Sequence, residues 1–206
     1  MKFFVELEPP PVRGHRLESH DVLLLVDLQN DFLPGGALAV PESGHMIAAA
    51  NAWISLFAAQ GLPVVASRDW HPRDHCSFEQ QGGPWPTHCI AETAGARFPE
   101  DLRLPRDALI VDKGSVPTRD AYSAFDGTSL YASLTELGVQ RLFIGGLATD
   151  YCVLRTVLDA LACGFQVILL TDLLAAVNVH AEDGAKAMET MQMRGVVPAG
   201  LREFLG

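Results

Sequence analysis

The sequence is poor in cysteine, in charge and in long apolar runs, and each shortage excludes a class of protein. Four cysteines in 206 residues are too few for a disulfide scaffold, so a buried core has to hold the chain together. Hydrophobic residues make up 49% and charged residues 19% of the chain, a balance that excludes intrinsic disorder. No apolar stretch reaches the ~20 residues that a transmembrane helix needs.

Basic residues are also in deficit. The chain has 15 Lys and Arg against 25 Asp and Glu, a net charge of -10 at pH 7, which argues against nucleic acid or an anionic membrane as a partner. The N-terminal segment lacks the apolar stretch of a signal peptide, so we expect a cytoplasmic protein with reduced thiols. The phosphate-binding patterns G-x-G-x-x-G and G-x-x-x-x-G-K-[ST] and the nucleophile pattern G-x-S-x-G are missing as well.

From residue 21 onward, short apolar runs alternate with longer amphipathic stretches. The apolar runs are continuous, which is typical of strands buried on both faces in a parallel sheet. Strands are therefore predicted at 22–26, 63–67, 108–111, 141–144 and 166–170, with 196–197 as a candidate sixth. Two stretches place their apolar residues on one helical stripe: Met46, Ala50, Trp53, Ile54 and Phe57, and then Val153, Val157, Leu158 and Leu161.

This alternation predicts an α/β protein with three α/β/α layers, in which helices flank a mostly parallel sheet. A single domain is expected over residues 21–206. Residues 1–20 contain the run Pro9-Pro10-Pro11, which breaks regular structure. We expect them to form an N-terminal extension, with no more than a short edge strand at 3–7.

Polar residues follow the predicted strands at the point where each one ends. Asp27 follows the first strand, Asp69 and His71 follow the second, Lys113 follows the third, and Cys152 lies beyond the fourth. In open α/β sheets, ligands bind beyond the carboxyl ends of the strands. The sequence therefore predicts that these side chains converge at one edge of the sheet.

Three of these residues suggest nucleophilic catalysis. Cys152 lies at the start of a predicted helix, where the helix dipole would lower the thiol pKa and Asp150 could cap the helix; the alternative is a buried structural cysteine. Asp27 ends an apolar strand, so its pKa is expected to rise towards that of a working base, unless it caps a turn. Lys113 would add a cation, or it is a surface lysine with a packed stem.

A second group has the composition of a metal site. Asp69 and His71 are spaced i, i+2, which places both side chains on one face of an extended segment. His75 and His88 follow within the next loop. A carboxylate with two or three imidazoles suits zinc, iron or manganese. The alternative is a set of solvated loop histidines.

Six segments, in this order, closely resemble the nicotinamidases (pyrazinamidases) of the isochorismatase-like cysteine hydrolase family. Together they span roughly residues 21–200. The segments are Asp27-Leu28-Gln29-Asn30-Asp31-Phe32, Asp69-Trp70-His71-Pro72-Arg73-Asp74-His75, Trp85-Pro86-Thr87-His88-Cys89, Lys113-Gly114, Asp120-Ala121-Tyr122-Ser123-Ala124-Phe125 and Gly146-Leu147-Ala148-Thr149-Asp150-Tyr151-Cys152-Val153.

The resemblance implies both a catalytic triad and a metal site. Asp27 would be the general base, Lys113 its cationic partner and Cys152 the nucleophile. One divalent ion, zinc in the first instance and iron or manganese otherwise, would be bound by a set of ligands. These are Asp69, His71 and His88, with His75 a ligand in only some family members.

The resemblance also implies a substrate pocket. Phe32 and Trp85 would sandwich a pyridine ring, with Tyr122 and Tyr151 beside it. The backbone N–H groups of Ala148 and Cys152 would form the oxyanion hole, Ala148 would also contact the substrate, and the Leu147–Ala148 peptide bond would be cis.

The activity implied is hydrolysis of nicotinamide to nicotinate and ammonia through a cysteine thioester, a step of NAD salvage, with pyrazinamide as a second substrate. The partner would be this small molecule, and a homodimer is a reasonable expectation. The alternatives are a cysteine amidase for carbamoyl or ureido substrates, an isochorismatase, a metal hydrolase with a structural Cys152, and a non-catalytic metal- or ligand-binding protein. Relatives that act on carbamoyl or ureido groups generally lack the metal ligands.

Overall fold

The computed structural model describes residues 16–205, which fold around a six-stranded, wholly parallel sheet. The strand order is β3-β2-β1-β4-β5-β6. The strands are β1 (Asp21–Val26), β2 (Val64–Asp69), β3 (Leu109–Lys113), β4 (Arg141–Leu147), β5 (Gln166–Ala175) and β6 (Val197–Ala199). The predicted α/β fold with a parallel sheet is confirmed.

Helices cover both faces of the sheet. They are α1 (Met46–Ala59), α2 (Leu130–Glu136), α3 (Leu154–Ala162) and α4 (Asp183–Met193). Short 3-10 turns lie at Asn30–Phe32, Ser43–His45, Glu79–Gln81 and Leu201–Glu203, and one turn of π-helix at Thr149–Val153 precedes α3. Both predicted helical stripes lie in helices, whereas α4, a largely polar helix, was not predicted.

Strand β1 shows why the strands of this sheet are formed by continuous apolar runs. Leu23 and Leu25 pack into a core with α1, whereas Leu24 and Val26 pack into a second core with α2 and α3. Successive side chains of a strand point to opposite faces, so a strand covered on both sides has to be apolar throughout.

Five strands, β2 to β6, extend beyond their predicted carboxyl ends, and two of them show why. β2 continues to Asp69 because that residue pairs with Lys113 of β3, and β4 continues to Leu147 because it pairs with Ala175 of β5. These polar or glycine-containing ends carry no apolar signal, so only the pairing with neighbouring strands reveals them.

Parts of the sequence prediction remain predictions. The edge strand expected at 3–7 lies outside the described residues, and the division into an extension of residues 1–20 and a domain of residues 21–206 is still an expectation. Among residues 16–205, no helix combines the length and apolar character that crossing a membrane requires.

Candidate active site

The carboxyl ends of the central strands bring the predicted side chains together. Asp27 directly follows β1 in the left-handed region, with φ 51°, and its N–H donates to Ser67 O on β2. Gly146 lies beside β1, where an added Cβ would be 2.1 Å from Val26 O. A glycine at this position therefore allows β4, and the turn with Cys152 that follows it, to approach Asp27.

Lys113, at the end of β3, is the centre of this cluster and is fully buried. Its Nζ lies 2.9 Å from Asp27 Oδ2 and 2.5 Å from Asp69 Oδ1. The same Nζ lies 3.5 Å from Cys152 Sγ. One ammonium group therefore contacts the candidate base, the candidate nucleophile and one candidate metal ligand.

The buried charges set the protonation of this cluster. Burial raises the pKa of Asp27, and the attraction of Lys113 offsets this only in part. Burial acts to lower the pKa of Lys113, but Asp27 and Asp69 outweigh it and raise that pKa well above its ordinary value. A charged lysine thus faces two carboxyl groups, with Asp27 the more readily protonated because the pKa of Asp69 is lowered.

The pKa expected for Cys152 from its position was wrong in direction. The thiol lies in the π-helical turn Thr149–Val153 and is buried. Burial raises its pKa well above the ordinary value, Lys113 opposes the rise, and the neighbouring Asp27 and Asp69 add to it. Burial of the thiol, which the helix position does not indicate, is therefore the main cause of the raised pKa, and the resting group is a thiol.

One oxygen of Asp27 is left to take a proton. Oδ1 accepts a 2.7 Å hydrogen bond from Ser67 Oγ. Oδ2 lies near the ammonium of Lys113 but has no well-oriented hydrogen bond, the one such buried side-chain atom in the described part of the chain. Oxygen and sulfur atoms of Asp27, Asp69 and Cys152 lie within 4.8 Å of one another. The arrangement suits transfer of the thiol proton to Asp27.

Asp69, His71 and His88 form a group with the geometry of a metal site. One ligand atom from each lies within 4.8 Å of the others, and all three residues are buried. The Nδ1–H of His71 donates to Gly114 O at 2.8 Å, and that of His88 donates to Pro86 O at 2.7 Å. Backbone carbonyls that hold one ring nitrogen leave the Nε2 lone pair for a metal ion, so these residues fit a divalent cation.

Local features position the ligand that ends β2, Asp69, and the one just beyond it, His71. The side chain of Gln29 accepts from the N–H of Asp69 at 2.7 Å and donates to its carbonyl at 2.8 Å. Gly114, at φ +60°, presents its carbonyl to His71, and an added Cβ there would be 2.5 Å from the His71 ring. The side chain of Gln29 therefore holds the backbone of Asp69, and the carbonyl of Gly114 holds the ring of His71.

The structure does not bring His75 into this group. Its ring stacks on that of His71 with centroids 4.1 Å apart. Nε2 donates to Arg119 O at 3.2 Å, and Nδ1 lies 2.7 Å from the hydroxyl of Ser77. Both ring nitrogens therefore have protein partners, which leaves no lone pair for a metal ion.

A pocket opens beside the thiol. Trp85 donates to Tyr122 Oη at 3.0 Å, and the ring of Tyr151 meets Trp85 edge-on at 5.0 Å between centroids. Burial raises the pKa of Tyr122 to about 12, which keeps the phenol neutral. The lining residues are Phe32, Leu38, Val40, Asp69, His71, Ser77, Trp85, His88, Asp120, Ala121, Tyr122, Ala148, Tyr151, Cys152 and Val177.

All five residues expected in the substrate pocket line this space, and the Leu147–Ala148 peptide bond is cis. Sequence reasoning missed Ser67, Gln29, Leu38, Val40, Asp120 and Val177. Gln29 and Asp120 lie in segments that resemble the family, which was the only available signal. The other four residues lie in the site because of contacts between segments that are distant in the sequence.

The role expected for Asp150 as a helix cap was wrong. Its carboxylate accepts from the N–H of Val177 at 2.9 Å and of Asn178 at 2.8 Å. The cause is the length of β5, which runs to Ala175 and delivers these two amides beside the turn. Asp150 therefore joins the turn that carries Cys152 to the loop that carries the pocket residue Val177.

The sequence of this chain matches a known protein family and is similar to known proteins. The isochorismatase domain family matches residues 21–203. The chain is 41% identical to the nicotinamidase of Escherichia coli (strain K12) over 194 residues, which cover 84% of this chain and 91% of that protein.

Two solved structures are also similar. The pyrazinamidase of Pyrococcus horikoshii in complex with zinc has 46% identity and a TM-score of 0.84, covering 88% of this chain and 99% of that one. PnC1 from L. infantum in complex with nicotinate has 37% identity and a TM-score of 0.86, covering 93% and 98%. This chain has a group of residues able to hold a metal and a pocket for a small molecule. It is similar to one protein solved with zinc and to another solved with nicotinate.

Proposed function

The chain belongs to the isochorismatase domain family, and on that premise we propose that it is a nicotinamidase, an enzyme that hydrolyses nicotinamide to nicotinate and ammonia. The bond broken is the C–N bond of a linear carboxamide. The observation that carries this proposal is the buried contact of Lys113 with Asp27 and Cys152 at the base of an aromatic pocket. The similarity to the nicotinamidase of E. coli supports the same substrate.

In the first half of the reaction Asp27 acts as the general base. It takes the proton of the Cys152 thiol as the sulfur attacks the carboxamide carbon. The negative charge that develops on the carboxamide oxygen is stabilised by the backbone N–H groups of Ala148 and Cys152. A donor of this kind typically contributes ~3–4 kcal/mol to the lowering of the barrier.

The raised pKa values of Asp27 and Cys152 fit this order of events. A thiolate in the resting enzyme would be a third negative charge beside a single ammonium, so the proton stays on sulfur until the substrate is bound. Lys113 keeps the Asp27 carboxylate ionised enough to accept that proton and fixes its position.

In the second half of the reaction, the carboxyl group of Asp27 acts first as a general acid and then as a general base. Protonated Asp27 gives its proton to the departing nitrogen, which leaves as ammonia while the thioester with Cys152 forms. The Asp27 carboxylate then takes a proton from water, whose oxygen attacks the thioester carbon. The C–S bond breaks, the sulfur regains its proton, and nicotinate is released.

We propose that Asp69, His71 and His88 hold one divalent ion, with zinc the first expectation and iron or manganese as alternatives. When bound, such an ion supplies an electron-pair acceptor for the ring nitrogen of the substrate. Phe32 and Trp85 would flank the ring, with Tyr122 and Tyr151 completing the aromatic wall. Pyrazinamide offers a ring nitrogen and a carboxamide of the same kind, so we expect it to be a substrate as well.

The experiment that tests this function measures ammonia release from nicotinamide. The parent protein is compared with Cys152→Ala and with Cys163→Ala, which removes an exposed thiol. We expect turnover by the parent and by Cys163→Ala and none by Cys152→Ala. Activity that survives in Cys152→Ala would contradict the thioester mechanism and favour a metal hydrolase. Ammonia released from carbamoyl or ureido amides, and not from nicotinamide, would identify the related amidase.

A further inference from the structure

Asp31 carries a carboxylate that none of the roles above uses. It lies in the 3-10 turn Asn30–Phe32, four residues after Asp27, and is half-buried. Its Oδ2 accepts a 2.7 Å hydrogen bond from the N–H of Cys89, and its Oδ1 accepts a longer bond of 3.3 Å from the N–H of Ala37. Cys89 directly follows the candidate ligand His88, so Asp31 holds the peptide group on which that ligand is mounted.

The backbone of Cys89 also connects to the second imidazole. Its carbonyl accepts a 3.0 Å hydrogen bond from the N–H of His71. Cys89 itself has φ 46°, a left-handed conformation that residues with a side chain rarely adopt without support from their surroundings. The bonds on either side of this residue, to Asp31 and to His71, therefore maintain a conformation that places His88 next to His71.

The space around Asp31 is matched to this role. A Cβ added to Gly95 would lie 2.1 Å from Asp31 Oδ2, so a glycine is required where the carboxylate passes. The N–H of Asp31 donates to Gly95 O at 3.0 Å. The carboxylate is thus fixed by its own backbone on one side and by the Cys89 amide on the other.

We propose that Asp31 is a positioning residue for the imidazole pair of the metal site, acting on His88 and His71 through the backbone of Cys89. The inference rests on the metal site put forward with the proposed function. Groups that hold metal ligands in place typically change metal affinity by about 10- to 100-fold when they are removed. Because the bond is charge-assisted, a neutral acceptor at position 31 should hold the Cys89 amide less firmly than the carboxylate does.

The test measures zinc affinity directly, by competition between the metal-free protein and a chromogenic chelator. We expect Asp31→Ala to bind zinc at least tenfold more weakly than the parent, and Asp31→Asn at least threefold more weakly. The matched control is Asn30→Ala, from the same turn, which removes a 2.8 Å bond to Ala94 O and no bond to a peptide beside a ligand. The zinc affinity of this control should stay within twofold of that of the parent.

The melting temperature of each metal-free protein separates positioning from a general structural role. A merely structural role would lower the melting temperature and leave zinc affinity unchanged, and that result would overturn the inference. If Asp31→Ala does not fold, Asp31→Asn decides, and an affinity equal to that of Asn30→Ala refutes the proposal. If the parent protein binds no zinc, the metal site itself is refuted. If the parent binds zinc and Asp31→Ala binds it equally tightly, only this inference is refuted.

Discussion

The hydroxyl of Ser67 donates a 2.7 Å hydrogen bond to Oδ1 of Asp27, across the adjacent ends of β1 and β2. Both residues are buried, and the second oxygen of Asp27 is the one beside Lys113. Ser67 therefore determines which carboxylate oxygen is left to take a proton. A serine in the middle of an apolar strand is explained by this single contact.

Removing this hydroxyl should slow catalysis. Hydrogen bonds to charged groups contribute about 1.5–3 kcal/mol, so we expect Ser67→Ala to lower kcat by roughly 10- to 100-fold because the base is less well oriented. KM should change little, since Ser67 does not line the pocket. Steady-state kinetics with nicotinamide measure both constants, and Ser55→Ala, which removes an exposed hydroxyl bonded to Asn51 O, is the control. A kcat equal to that of the control would contradict the role assigned to Ser67.

Lys113 should be essential for stability as well as for activity. Its replacement by Met leaves Asp27 and Asp69 buried without a counter-charge, and breaking a buried pair in this way typically costs about 3–5 kcal/mol. We expect Lys113→Met to lose activity and to lower the free energy of unfolding by that amount, measured by denaturant titration.

A double variant tests the cause of that loss. Asp27→Asn combined with Lys113→Met removes one of the unpaired carboxylates, so it should recover part of the stability while remaining inactive. Stability in the double variant no higher than in Lys113→Met would show that the loss arises from packing of the lysine stem and not from charge.

Metal binding should distinguish His75 from the other two histidines. We expect His71→Ala and His88→Ala each to abolish stoichiometric zinc binding, because each removes one of three ligands. His75→Gln should keep it, since both ring nitrogens of His75 are engaged by Ser77 and Arg119. Metal content after dialysis against zinc and then buffer, measured by atomic emission, gives the result. Loss of zinc in His75→Gln would make His75 a ligand and contradict the assignment drawn from its contacts.

Three of the four thiols, those of Cys163, Cys89 and Cys152, should react with iodoacetamide in an order set by exposure and charge. Cys163 is exposed and should be alkylated first. Burial raises the pKa of Cys89, and nearby carboxylates add to the rise, so this thiol should react only after unfolding. Cys152 also has a raised pKa, so its labelling should be slow at neutral pH and faster as the pH rises. Peptide mass mapping over time checks the order, and rapid labelling of Cys152 at neutral pH would indicate a resting thiolate.

The sequence predicted the parts of the site that depend on topology. Asp27, Lys113 and Cys152 lie together because each is at, or just beyond, the carboxyl end of a strand of one parallel sheet, and the parallel order follows from continuous apolar runs. Asp69 and His71 share a face because of their i, i+2 spacing. These relationships are local, or follow from the strand order, so they can be inferred without coordinates.

The remaining features depend on contacts that no local pattern records. The pKa of Cys152 is raised by burial and by carboxylates at the carboxyl ends of β1 and β2, and the helix that follows Cys152 could not reveal this. Asp150 has the sequence position of a cap, but the end of β5 offers it two amides instead. Cys89 is an unremarkable loop residue in the sequence, although its left-handed backbone joins two candidate ligands.

The loop held by Asp150 should control substrate binding more than chemistry. Asp150→Ala frees the amides of Val177 and Asn178, and Val177 lines the pocket. The lost bonds should lower stability by about 1–3 kcal/mol, and the displaced wall should raise KM for nicotinamide by a larger factor than it lowers kcat. The control Asp183→Ala removes a comparable bond to the N–H of His180 in the same loop, away from the pocket lining, and should leave KM unchanged. If kcat alone falls in Asp150→Ala, the carboxylate acts on the turn that carries Cys152 rather than on the pocket wall.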